Sequence, residues 1–85
     1  MLSFPNPSRD FDTTRNAVSF VGYDQLFVIR FFVEANALSS VIDGELSESA
    51  CLQAFDDQLE LIHRVARKIY SRNKGTSYII EELNI

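Results

Sequence analysis

The sequence is poor in the residues that mark secreted, metal-binding or membrane proteins. It has one cysteine in 85 residues, so no disulfide forms within the chain and no cysteine pair binds a metal. The first twelve residues lack the basic start and apolar stretch of a signal peptide. The apolar run at 26–33 is interrupted by Arg30 and is too short to cross a bilayer. Because a small domain without disulfides relies on packing in a reducing compartment, we predict a cytoplasmic protein.

Motifs of catalytic and cofactor sites are also missing. Three glycines leave no glycine-rich phosphate-binding loop. His63 has no second histidine to help bind a metal, and no serine or cysteine lies three or four positions from it. We therefore interpret His63 as a residue at the edge of the core. We expect no enzyme activity, no cofactor and no metal.

The single cysteine leaves two interpretations open. Cys51 falls early in a predicted helix, where an unpaired cysteine is most often a small core residue. The amino end of a helix also lowers the pKa of a thiol, so a reactive cysteine remains the alternative.

What the chain does have is ample material for one core. Hydrophobic residues make up 46% of it, with seven phenylalanines and three tyrosines. We predict a single α+β domain over 1–85, in which a small, mostly antiparallel sheet packs against a long helix and a short helix. The sheet combines N-terminal strands with one C-terminal strand. The pattern predicts strands at 2–4, 9–12, 17–23, 26–33 and about 77–80, turns at 13–16 and 22–25, and a short helix at 34–43, and it leaves the form of 81–85 open.

The long helix is predicted to begin after Ser47 or Ser49 and to reach about Asn73. Its apolar stripe follows the i, i+3, i+4 spacing of a helix that packs on a sheet. The predicted stripe comprises Leu52, Phe55, Leu59, Ile62, Ala66, Ile69 and Tyr70.

A second strip runs along the opposite side of that helix, apolar first and then basic. It consists of Leu61, Val65, Lys68 and Arg72. One reading is a surface that contacts a protein partner or a second copy of the chain. The other reading is that the short helix or the C-terminal segment covers the two apolar residues.

The net charge of −4 hides a strong asymmetry. Residues 1–63 contain three basic and ten acidic side chains, whereas 64–74 contain five basic side chains and no acidic one. Positive charge at the carboxyl end of a helix complements the helix dipole. This is a sufficient structural reason for the basic residues at 64–74. The alternative is a nucleic-acid surface formed by Arg64, Arg67, Lys68 and Arg72. The acidic remainder of the chain makes nucleic acid the less favoured partner.

Several segments together resemble a known family. They are FPNPSRDFD, AVSFVGYD, FFVEANAL, AFD and ARKIYSRNKGTSYII, and they cover nearly the whole chain. The chain resembles the small bacterial proteins catalogued as domain of unknown function 1488. Members often have an aromatic residue where this chain has Val21, so the packing of that strand face is open. The resemblance implies a compact bacterial α+β domain, with no activity, cofactor or catalytic residue to transfer.

The segments that carry the resemblance contain polar and aromatic residues near turns and strand ends. These are Arg9, Asp12, Tyr23, Asp24 and Tyr78. If they cluster in space, they form a binding surface; otherwise the carboxylates hold turns and the tyrosines cover the edge of the core. We expect a non-enzymatic accessory or protein-interaction domain, with a nucleic-acid-associated regulator as the alternative.

Overall fold

The computed structural model describes residues 2–5, 8–39, 47–72 and 75–83. The elements, in chain order, are β1 (Leu2–Ser3), β2 (Arg9–Asp12), β3 (Ala17–Asp24), β4 (Phe27–Glu34), α1 (Ala35–Ser39), α2 (Glu48–Asp57), α3 (Leu59–Arg72) and β5 (Ser77–Ile80). β3 and β4 form the centre of the sheet. β1 and β2 both pair with the far side of β3, and β5 pairs with β4. The predicted α+β fold is confirmed. All strand pairs are antiparallel except β4 with β5, which is parallel.

The hairpin between β3 and β4 turns later than the sequence predicts. The prediction placed the turn at 22–25 and used Gly22 for a positive φ. In the structure β3 continues to Asp24, and Gln25 takes the positive φ of 58°. Gly22 instead lies inside β3, where a Cβ would come within 2.9 Å of Leu2 Cδ1 and Phe4 Cε1. The glycine is therefore required for close approach of the N-terminal segment rather than for a turn.

The two faces of the sheet have different surroundings. Residues opposite each other in paired strands point to the same side. One side meets the helices, because the Phe20 ring lies 5.3 Å from that of Phe55 on α2 and the Tyr78 ring 6.2 Å from that of Tyr70 on α3. We call the opposite side the outer face; its strand residues include Asp10, Ser19, Val21, Tyr23, Val28, Arg30, Phe32 and Ile79.

The core lies between the sheet and the helices. Its largest fully buried side chains include Phe31, Ile29, Leu38, Ile62 and Ile80. Alternation along β4 and β5 places these strand residues on the helix side, as the pattern predicts. Burying each large apolar side chain contributes roughly 1.5–3 kcal/mol. This layer is therefore the main source of stability.

The predicted long helix is two helices, which corrects the prediction. Ser47 caps α2 by accepting a hydrogen bond from Ala50 N at 3.1 Å. At Gln58 the backbone leaves helical geometry, with φ −112° and ψ 22°. Its N–H group bonds the carbonyls of both Ala54 and Phe55, while its own carbonyl accepts from Ile62 N at 2.9 Å. The helical phase of α3 is therefore shifted relative to that of α2.

That shift changes which residues face the core. Leu59, placed on the sheet-facing stripe by the prediction, is 39% exposed. Val65, placed on the far side, is only 5% exposed and belongs to the core, and Leu61 packs partly against it. The prediction of an exposed apolar strip at Leu61 and Val65 was wrong for this reason. None of the described helices is long and apolar enough to cross a bilayer.

The short helix is confirmed over Ala35–Ser39. Glu34, the first residue of the predicted 34–43 helix, instead ends β4. Residues 40–43 and Gly44 lie outside the described residues, as do Asn73 and the last two residues of 81–85.

Candidate functional site

The polar residues that carry the family resemblance do not form one cluster. They are distributed over both ends and both faces of the sheet. Asp12 accepts a hydrogen bond from Arg15 N at 3.1 Å in the turn after β2. Tyr23 lies half-buried on the outer face. Arg9 and Asp24 each join two elements on the helix side, and Tyr78 bonds the residues just before its own strand, as described next.

Arg9 connects β2 to α2 through a two-pronged ion pair with Asp56. Arg9 Nε donates to Asp56 Oδ1 at 2.9 Å, and Nη2 donates to Oδ2 at 2.8 Å. The hydrogen bonds from Arg9 hold the pKa of Asp56 below its usual range. Because both groups are partly exposed to water, the pair adds little stability. Its geometry instead sets the position of α2 on the sheet.

Asp24 and Tyr78 form hydrogen bonds elsewhere on the helix side. Tyr70 Oη donates a 2.6 Å hydrogen bond to Asp24 Oδ2, which ties α3 to the end of β3. This hydrogen bond is the main reason that the pKa of Tyr70 is raised above its usual value. Tyr78 Oη accepts a hydrogen bond from Gly75 N just before β5. These residues therefore have partners within the domain.

His63 is part of an aromatic stack with the N-terminal segment. Its ring lies parallel to that of Phe4, with centroids 3.9 Å apart. The Arg67 guanidinium covers the same Phe4 ring, 4.9 Å from its centroid. Burial, and then the positive charge of Arg67, lower the pKa of His63. Within the described residues no group of three or more His, Cys, Asp or Glu side chains lies close enough to hold a metal ion.

The lowered pKa predicts that His63 makes stability depend on pH. The unfolded chain binds the proton more tightly than the folded chain, so stability falls as the pH drops below about 6.5 and levels off beneath the folded-state pKa. Urea unfolding at pH 5 and pH 8 measures the difference. The matched variant, His63→Phe, keeps an aromatic ring against Phe4 but cannot titrate, and we expect it to lose less stability at pH 5. An equal loss in both proteins would show that His63 does not contribute.

Cys51 is a core residue, as the first interpretation predicts. Its side chain, on α2, is fully buried, and burial raises the pKa of its thiol. A reactive cysteine needs access and a lowered pKa, so neither requirement is met.

The outer face carries apolar side chains that none of the described helices covers. Val28 is 46% exposed and Ile79 50% exposed, and Val21 and Tyr23 are half-buried. The neighbouring hairpin tip, Leu26 and Phe27, is 97% and 67% exposed. In the sequence of β4, apolar residues fall on both sides of the strand. That two-sided pattern was the signal for this surface.

Phe32 forms a small aromatic centre on the outer face. It is only 8% exposed yet lies outside the core cluster. The Arg15 guanidinium covers its ring at 4.4 Å from the centroid, and Arg15 Nε lies 3.5 Å from Asp12 Oδ2. A charged side chain therefore shields an apolar ring from water.

An open groove of about 440 Å³ crosses the same face. Asp10, Ser19, Val21, Arg30 and Phe32 contribute to its walls. Among the described residues, Asp10 and Arg30 are exposed and take no part in the two ion pairs found there. The groove thus combines the apolar side chains of Val21 and Phe32 with the charges of Asp10 and Arg30, which are unpaired in the described part of the chain.

The basic residues of α3 lie on the surface. Arg64, Arg67, Lys68 and Arg72 are all exposed. No ion pair involves any of them in the part of the chain that the structure describes. The sequence also predicted Lys68 and Arg72 on one strip with Leu61 and Val65, but those two apolar residues turn towards the core.

Comparison with known proteins identifies relatives of the same fold. A family model described as "Protein of unknown function (DUF1488)" matches residues 2–81. A crystal structure of a protein of unknown function from that family, from Shewanella loihica PV-4 at 1.60 Å resolution, superimposes with a TM-score of 0.78. That protein is 19% identical, and the match covers 95% of this chain and 92% of the other. No curated protein matches the chain.

Proposed function

The chain belongs to the DUF1488 family, and we propose that it is a non-enzymatic interaction domain that binds a protein through the outer face of its sheet. The observation that carries this proposal is the exposure of Val28 and Ile79 on a sheet face that none of the described helices covers. We further propose that the domain acts in a bacterial cytoplasm, which its single cysteine and its family resemblance support.

The composition of the outer face supports a binding role. An antiparallel sheet with one face in water normally alternates apolar residues inside with polar residues outside. Here Val21, Val28, Phe32 and Ile79 break that alternation on the outer side. At the turn next to Val28, Leu26 is also exposed. Contiguous apolar surface rimmed by polar groups is typical of protein contact sites.

The arrangement of the polar residues supports an accessory role rather than catalysis. The pairs Arg9–Asp56 and Tyr70–Asp24 each connect two elements and are engaged in doing so. Their shifted pKa values follow from these contacts, and structural ion pairs and hydrogen bonds are an ordinary cause of such shifts.

Site-specific photo-crosslinking in the native host tests the proposal. A benzophenone amino acid is placed at Ile79 or Val28 on the outer face and, as a matched control, at Arg64 on α3. We expect protein adducts from positions 79 and 28 and few from position 64. Protein adducts confined to position 64 would contradict the proposal, as would none at any position.

A nucleic-acid-associated role is the second candidate, favoured by one observation. Arg64, Lys68 and Arg72 recur every four residues along α3, all exposed and without ion pairs among the described residues. Nucleic-acid adducts from position 64 would favour this candidate. Fluorescence anisotropy with mixed-sequence DNA and RNA provides the independent measurement, because phosphate binding must weaken steeply with salt and with Arg64→Glu.

A further inference from the structure

We infer that the outer face binds a second copy of this chain, with Arg30 of each copy facing Asp10 of the other. The inference rests on the proposed function, since it names the partner of the same surface. It follows from the positions of the available charges and the apolar side chains between them.

The outer face carries the cation Arg30 and the anions Asp10 and Glu34, none of which forms an ion pair among the described residues. Arg30 projects from the middle of β4, and Asp10 projects from β2. The other charged pair on this side, Arg15 with Asp12, is already formed. Arg30 and Asp10 have no ion-pair partner within the described ranges.

The strand register gives the separation of Asp10 and Arg30 within one copy. Asp10 lies opposite Ser19, which lies opposite Phe32, whereas Arg30 lies opposite Val21. The two side chains are thus two strands apart and offset by two residues along the strands. With ordinary strand spacing and rise, their Cβ atoms are about 12 Å apart. That distance is too long for an ion pair within one copy.

Two copies related by two-fold symmetry can satisfy both charges. A two-fold axis lying between two stacked sheets, perpendicular to the Arg30–Asp10 line at its midpoint, places each Arg30 over the other copy's Asp10. One axis creates both contacts at once, as in the self-complementary interface of a symmetric dimer. Ser19 and Val21 of β3 lie on either side of the midpoint of this arrangement, and Val21 supplies apolar contact. The same surface is therefore complementary to itself in both charge and polarity.

The available area indicates a concentration-dependent dimer. Four strands, the longest of eight residues, span a face of about 500 Å² in projection. Stable interfaces bury about 800 Å² per partner. The outer face is thus at the small end of the range for interfaces. We expect self-association in the micromolar range or weaker.

Charge exchange between the two positions tests the pairing. Sedimentation equilibrium is run on the wild type, on Arg30→Glu, on Asp10→Lys and on an equimolar mixture of the two variants. Each variant alone places like charges together twice in the symmetric dimer, so its dissociation constant should rise about tenfold or more. In the mixture both contacts are again between opposite charges, so heterodimers should form with an affinity near that of the wild type.

Arg64→Glu is the matched control, because it reverses an exposed arginine of α3 and should leave the dissociation constant unchanged. Thermal unfolding checks that each variant is folded. A wild type that stays monomeric at several hundred micromolar overturns the inference, as does a dimer insensitive to Arg30→Glu or a mixture no tighter than its components. The proposed function fails separately, and only if crosslinking from positions 28 and 79 yields no protein adduct.

Discussion

Replacing Phe31 with alanine is expected to lower the free energy of unfolding by about 3–5 kcal/mol, as for other fully buried phenylalanines. The Phe31 ring is fully buried and stacks on Phe20 and Tyr78 at centroid distances of 5.1 and 5.5 Å. It also contacts the ring of Phe4 at 6.2 Å. A domain of this length has a total stability of roughly 4–13 kcal/mol, so the loss removes a large share of it. Urea unfolding at 25 °C measures the change.

Phe27→Ala is the matched control for this prediction. Phe27 lies on the same strand and the same side of the sheet as Phe31. It is at the hairpin end of that strand, however, and its side chain is 67% exposed. We expect its replacement to change stability by no more than about 0.5 kcal/mol. Similar losses for the two variants would contradict the assignment of the core to the sheet centre.

Replacing Gly22 with valine is the second change with a large expected effect. A Cβ at this position comes within 2.9 Å of side-chain atoms of both Leu2 and Phe4. Overpacking of this kind costs about 1–3 kcal/mol, and displacement of the N-terminal segment relieves it. Phe4 would then leave His63, whose pKa should rise towards its ordinary value as burial decreases. NMR titration of the His63 ring and limited proteolysis near residue 4 measure both consequences.

The control for Gly22→Val is the same substitution in a chain that lacks residues 1–4. There the atoms that collide with the new side chain are absent. The cost of the substitution should therefore shrink in the shortened chain, and the difference between the two costs reports the coupling between Gly22 and the segment. An equal cost in both backgrounds would show that the valine disturbs β3 itself.

Local patterns predicted the elements well where one physical signal dominated. Alternation located β5 at 77–80, and the side-chain oxygen of Ser47 marked the start of α2. The break at Gln58 carries no such signal, because glutamine is an ordinary helix residue and neither glycine nor proline is nearby. A shift of phase at one residue then moved Val65 from the predicted surface into the core.

The sequence pattern could not predict contacts between residues that are far apart in the chain. Arg9 and Asp56 are 47 positions apart, and their pairing depends on where α2 crosses the sheet. Gly22 was assigned to a turn because glycine accommodates a positive φ, whereas its role is set by Leu2 and Phe4 of the N-terminal segment. The sequence indicates part of the outer face, because β4 has apolar residues on both sides. The exposure of that face depends on the described helices all packing on the other side of the sheet.

Crosslinking from Ile79 compared with Arg64, in living cells, tests the central claim most directly. Both residues are exposed, and they lie on opposite layers of the domain, one on the outer face of the sheet and the other on α3. If the outer face is the binding surface, protein adducts form from position 79 and exceed those from position 64 several-fold. Protein adducts from position 64 in the absence of any from position 79 would contradict it.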